Sequence, residues 1–94
     1  MIKAEIIRDI ATSIGAERSV VASVIEAFME NVKNSIASGE NVYLRGFGTF
    51  LIKHRAEKVT HDISKNTTLV IPAHPVPAFK PAKVFVENLK KGNE

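Results

Sequence analysis

"LIKHRAEKVTHDISKNTTLVIPAHPVPAF", residues 51–79, is the stretch whose reading decides the fold. Its flanks are apolar and β-branched, Leu51–Ile52 before and Leu69–Val70–Ile71 after, which favours strand. Its middle, residues 60–68, holds one large apolar side chain, Ile63, among His61, Asp62, Ser64, Lys65, Asn66 and threonines. That is the composition of an exposed turn. Two strands meeting at such a turn make one long hairpin, residues 49–62 against residues 66–77. Pro72, Pro75 and Pro77 keep the second strand out of a sheet centre and point to an edge or a free ribbon. The outer part is too polar to cover a core. A strand of about ten residues reaches roughly 33 Å at ~3.3 Å per residue. A two-stranded ribbon is only marginally stable alone in water, so this one is expected to protrude and stay mobile until a partner takes it.

Upstream, Ile6, Ile7, Ile10, Ala11 and Ile14 recur at helical spacing, and Gly15 stands where a helix C-cap belongs. Val21, Val24, Ile25, Phe28, Val32 and Ile36 form a second stripe from about Arg18 to Ser38, closed by Gly39. Two amphipathic helices joined by a short turn make a helical hairpin, and both stripes read as core packing. "NVYLRGFGTFLI" (residues 41–52) then reads as two short strands, with Gly46 and Gly48 at a tight turn or bulge. "KPAKVFVENLKK" (residues 80–91) reads as a last helix, with Pro81 in its first turn. No internal repeat or linker is visible.

Ninety-four residues suggest one domain, 1–94, with a thin core, the size range in which many chains dimerise. Hydrophobic residues at 45% and charged ones at 24% are ordinary globular values. The absence of cysteine excludes a disulfide framework and a thiolate zinc site, and fits a reducing cytosol. No apolar run approaches the ~18 residues of a membrane span, and "MIKAEIIRDIA" carries charges where a signal peptide would be apolar. The net charge of +3 hides a division: residues 1–42 hold four basic and six acidic side chains, residues 43–94 nine and four. The second half is the expected footprint of a polyanion. Lys53, Arg55, Lys58 and Lys65 lie along the ribbon, against Glu57 and Asp62. Lys53, Arg55, Glu57 and His61 share strand parity, while His54, Ala56 and Lys58 take the other face. Basic side chains on both edges suit a ribbon lying between two rows of phosphates; a merely solvated charged hairpin is the plainer reading.

"MIKAEIIRDIA", "GFGTF" (46–50), "HRAEK" (54–58) and "IPAHPVPAFKPAK" (71–83) stand in an order and spacing that resembles the HU and integration host factor family of bacterial DNA-bending proteins. The resemblance covers nearly the whole chain and implies an α+β fold: an N-terminal helical hairpin, a three-stranded antiparallel sheet with a long protruding β-ribbon arm, and a short C-terminal helix. It assigns residues 1–39 to a helical dimerisation base, 40–80 to sheet and arm (arm about 52–75), and 81–94 to the last helix and tail. It further implies an intertwined dimer with Phe47, Phe50 and Phe79 in a shared core, and arms that wrap the minor groove of double-stranded DNA. A cytoplasmic, nucleoid location follows from it.

Family members usually carry Arg-Asn-Pro at the arm tip, the proline inserting between base pairs; here His61-Asp62-Ile63 stands in its place. The resemblance thus makes Ile63 the intercalating wedge, since an apolar side chain can stabilise a partly unstacked step at a cost of about a few kcal/mol. Otherwise Ile63 would fold back on Val59 or pack on a neighbour. Asp62 is unfavourable near phosphates unless it accepts a local turn hydrogen bond, and Asn66 can take the left-handed conformation of the usual glycine. Arm contacts implied are Lys53, Arg55, Lys58 and His61, with Lys65 near the tip; on saddle and flank they are Lys3, Arg45, Lys80 and Lys83, with backbone amides of Gly46 and Gly48. Val86 replaces a frequent lysine.

Against catalysis stand the lack of a nucleophile–base motif, of cysteine and of a phosphate-binding glycine loop. His54, His61 and His74 read as surface residues: His54 and His74 become cross-strand neighbours if the hairpin centres near residue 64, but two histidines make an incomplete metal site. No cofactor, metal, membrane or small-molecule substrate is expected. Three functions stay open: a weakly specific DNA-bending homodimer; a sequence-specific bender of the integration host factor type, paired with a different chain; and a dimeric module whose basic arms bind an acidic protein.

Overall fold

The computed structural model describes residues 1–92; the end of the predicted tail, 93–94, lies outside the described residues. The two stripes of the N-terminal third fold as α1 (Lys3–Ile14) and α2 (Arg18–Ala37). Gly15 ends α1 in the left-handed conformation. At the end of α2 the Gly39 amide donates to the Ile36 carbonyl and the Glu40 amide to the Ser35 carbonyl, the paired bonds of a Schellman motif. The helices meet through Ala11 and Val21, the buried apolar residues of the described chain.

Five strands follow: β1 (Val42–Leu44), β2 (Gly48–Arg55), β3 (Lys58–Asp62), β4 (Thr67–Ile71) and β5 (His74–Pro81). They form an antiparallel three-stranded sheet in the order β1-β2-β5 and a separate two-stranded ribbon of β3 and β4. The chain ends in α3 (Lys83–Gly92). The expected long hairpin is present, with an interruption that the composition does not announce. Pairs run from Gly48↔Pro81 to Arg55↔His74 and resume from Lys58↔Ile71 to Asp62↔Thr67 in the same register. No residue is inserted, so strand parity survives the gap.

The prolines explain the gap. Pro75, Pro77 and Pro81 share one parity, so their donor-less nitrogens all face the open edge of β5 and leave its ladder with β2 intact. Pro72 has the other parity. Its nitrogen faces Glu57, where the ladder needs an N–H, and pairing lapses at residues 56–57 and 72–73. Pro81 belongs to β5, opposite Gly48, rather than to the first turn of the last helix. The helix starts two residues later, after the Ala82 amide has donated to the Phe47 carbonyl at 2.8 Å.

In the β1–β2 turn the Phe47 amide donates to the Leu44 carbonyl at 2.9 Å, with Gly46 at φ +81°. A turn with positive φ at its third residue selects glycine there. Phe50 and Phe79 form a cross-strand pair with ring centroids 5.0 Å apart. Phe47 lies 5.2 Å from Phe79 and 5.6 Å from Phe85 of α3, making an aromatic cluster under the sheet. On the same sheet face Ile52 and Pro77 line a cleft with Ile36 and Ala37 of α2. The helical base therefore lies below, and Thr49, Leu51, Lys53, Arg55, Val76, Ala78 and Lys80 form the upper face.

The cluster is incomplete within one chain: Phe47 is 46% and Phe79 38% exposed, and Val20, Val24, Phe28, Val84 and Leu89 are exposed as well. The radius of gyration is 19.0 Å, against about 12 Å for a compact chain of this length.

Candidate nucleic-acid interface

The upper face of the sheet and the two sides of the ribbon carry most of the predicted contacts. Lys53 and Arg55 project from β2 and Lys80 from β5, all on the same sheet face and opposite Val76, His74 and Thr49 respectively. All three are exposed. Arg45 and Gly46 sit exposed in the β1–β2 turn, and Lys83 opens α3 with its ammonium 4.0 Å from Glu87. Arg45, Lys80 and Lys83 line one shallow groove. On the ribbon, Lys58 faces Ile71 and His61 faces Thr68, on opposite sides, with Lys65 in the terminal loop. With Lys53 and Arg55 on one face and Lys58 on the other, cations occupy both faces of the arm.

Two predicted contact residues have close partners within the chain. Gly48 is buried: its bare Cα makes room for the Phe79 ring, so its small size serves packing, while it still lines the groove of Arg45, Lys80 and Lys83. Lys3 lies on α1, and its ammonium is engaged by the Glu26 carboxylate of α2. That contact, a hydrogen bond first and a charge attraction second, holds the Glu26 carboxyl below its ordinary range. His74 stands opposite Arg55, and His54 opposite Pro75. The two imidazoles therefore lie on opposite sheet faces, although the hairpin does centre between residues 64 and 65. His74 Nδ1 is 2.9 Å from the Pro72 carbonyl, anchoring the strand just past the gap. Among the described residues no group of three or more histidines, cysteines or acidic side chains could hold a metal ion.

The tip is the most exposed apolar point of the molecule. Ile63 is 88% exposed and does not fold back on Val59, itself exposed. Its presentation has a local cause. Asp62 Oδ1 accepts the Ser64 hydroxyl at 2.7 Å and the Ser64 amide at 3.1 Å. This Asx turn bends the chain around Ile63. The Ser64 hydroxyl is the main reason the Asp62 carboxyl is held below its usual range. Asn66 closes the loop at φ 51°, a conformation asparagine tolerates better than most residues. The carboxylate that looked misplaced beside phosphates is thus occupied by the turn.

Sequence reasoning missed two residues. Phe85 completes the aromatic cluster from α3. Tyr43 stands on the upper sheet face, 75% exposed, in a straight row with Thr49 and Lys80. The available signal was alternation: Val42 and Leu44 turn inward, so Tyr43 turns out.

No helix among the described residues is long and apolar enough to cross a membrane. Comparison with known proteins supports the same fold over nearly the whole chain. The family model described as bacterial DNA-binding protein matches residues 1–90. DNA-binding protein HU of Thermus thermophilus is 32% identical over 95% of this chain and 92% of its own length. The HU protein of Staphylococcus aureus is 33% identical over 96% of this chain and all of its own. A co-crystal structure of Anabaena HU with DNA superposes with a TM-score of 0.89 at 30% identity, covering 95% of this chain and 97% of the other. HU from Thermotoga maritima superposes at 0.66 with 26% identity, covering 95% and 98%. With its helical hairpin, its three-stranded sheet and its cationic arm, this chain belongs to the bacterial DNA-binding protein family, that of HU.

Proposed function

We propose that two copies of this chain form an intertwined dimer that binds double-stranded DNA through the minor groove and bends it, as a nucleoid-organising protein. The observation that carries the reading is the tip: an isoleucine almost wholly in water at the end of a cationic ribbon, on a chain whose relative HU is known bound to DNA. Leaving a large aliphatic side chain exposed forgoes about 1.5–3 kcal/mol of burial. Insertion into a base step recovers it and helps offset the unstacking.

Dimerisation has its own support. The apolar trough lined by Ile10, Ile14, Val20, Val24 and Ile25 and the open aromatic cluster are the kinds of surface that a second copy covers. Lys53, Arg55, Lys58, His61, Lys65, Lys80, Lys83 and Arg45 supply phosphate contacts, with the Gly46 amide. Lys3 joins them where it parts from Glu26. Such contacts position the duplex without reading its sequence, and the minor groove offers little beyond A·T against G·C. Preference then follows deformability: nicks, gaps and flexible steps.

Gel shifts on unrelated duplexes at graded salt test the reading. A dimer that neutralises about eight phosphates gives a log–log slope of roughly −7. Similar affinity for every duplex is the expected result. Selective survival of one site against excess random DNA points instead to a sequence-specific bender, and no shift at low salt points to an acidic protein partner.

A further inference from the structure

We infer that Tyr43 is a DNA-backbone contact, its phenol donating a hydrogen bond to a phosphodiester oxygen on the upper face of the sheet. This rests on the DNA-binding reading above. Tyr43 is the chain's single tyrosine and the most exposed of its aromatic side chains. Its neighbours explain what it meets. Cross-strand pairing puts Tyr43 opposite Thr49 and Thr49 opposite Lys80, so a hydroxyl row ends on an ammonium. The groove that Tyr43 lines also holds Arg45, Lys80 and Lys83, and no acidic side chain. A groove with three cations, two hydroxyls and no carboxylate selects an anion with several acceptor oxygens. Phosphodiester has that chemistry, and a tyrosine hydroxyl is among the ordinary donors to it.

The phenol O–H is also free to donate. The Asn41 side-chain amide lies 3.5 Å from Tyr43 Oη. An amide NH₂ can only donate there, which occupies the phenol oxygen as acceptor and leaves its own O–H free to donate outward. The surrounding cations bring a phosphate within reach, and the neutral hydroxyl adds a directed contact without adding charge.

That last point makes the test specific. Tyr43→Phe keeps the ring and removes the donor. DNA affinity is expected to fall about three- to ten-fold, the net value of one ordinary hydrogen bond at a solvent-exposed surface. The salt slope is expected to stay unchanged, because every cation remains. Lys80→Ala, by contrast, flattens the slope by roughly one for each phosphate it no longer neutralises. Since no other tyrosine is present, nitration of the native protein by tetranitromethane reports this site alone, and saturating duplex is expected to slow it. Unchanged nitration in a complex that still forms overturns the inference and leaves the DNA reading standing. So does protection with Tyr43→Phe binding as tightly as native, which would mean the ring merely packs. If the native protein shifts no duplex, the DNA reading itself fails and the inference with it.

Discussion

A β-carbon placed on Gly48 would lie 2.5 Å from Cζ of Phe79 and 2.6 Å from the Lys80 carbonyl oxygen. The absent side chain of one strand is the space that holds the aromatic ring of the next. Gly48→Ala is therefore expected to destabilise the protein by about 1–3 kcal/mol through overpacking. Pairing it with Phe79→Leu should recover only part, because the backbone oxygen of Lys80 stays in place. Thermal melts at matched protein concentration read both effects, and an alanine variant that melts with native would contradict this packing.

Ile63→Ala separates holding from bending. Phosphate contacts are untouched, so the salt slope should remain. The bend, followed by energy transfer between dyes on the duplex ends, should shrink. Identical bending by the two proteins would remove the wedge role from Ile63.

The Asp62–Ser64 turn has a pH signature. A carboxyl held low in the folded state stabilises above its unfolded-state pKa, and the contribution is lost as pH falls through the lowered folded value. Order at the tip should thus persist at neutral pH and fade only in acid below the usual carboxylate range. Ser64→Ala removes the main cause, so the Asp62 side chain should titrate at higher pH by NMR. Asp62→Asn keeps an acceptor for the turn and drops the charge, so it should bind DNA at least as tightly as native.

Lys3 has a competitor for phosphate in Glu26. Glu26→Gln frees the ammonium and is expected to tighten DNA binding a few-fold while steepening the salt slope by about one. In Lys3→Ala the same substitution should no longer steepen it. An equal gain in both backgrounds would place the effect in general repulsion between Glu26 and DNA.

Pro72→Ala restores the missing donor opposite Glu57. Ladder pairing should then run through residues 56–57 and 72–73, and hydrogen exchange at the amides of that gap should slow. A Pro75→Ala variant is the control, since its new N–H faces the open edge and gains no strand partner.

The pattern of successes and misses has a physical source. Helical periodicity, the left-handed glycine after each of the first two helices, and the composition of an exposed turn are written in neighbours within a few positions. For that reason the two N-terminal helices, the centre of the hairpin and the exposure of Ile63 were legible in the sequence alone, as was the family through its spaced motifs. What the sequence could not display depends on partners brought together by folding. Whether a proline nitrogen faces a neighbouring strand or an open edge depends on register, so Pro72 and Pro75 look alike in one dimension and act oppositely in three. Nothing local announces that the bare Cα of Gly48 makes room for the ring of Phe79. Lys3 reads as a free cation because Glu26 lies 23 positions away. Tyr43 acquired its surroundings only when strand pairing set it in line with Thr49 and Lys80. Local propensity determined the elements; long-range pairing decided which of their side chains meet, and so which of them are left to face a partner.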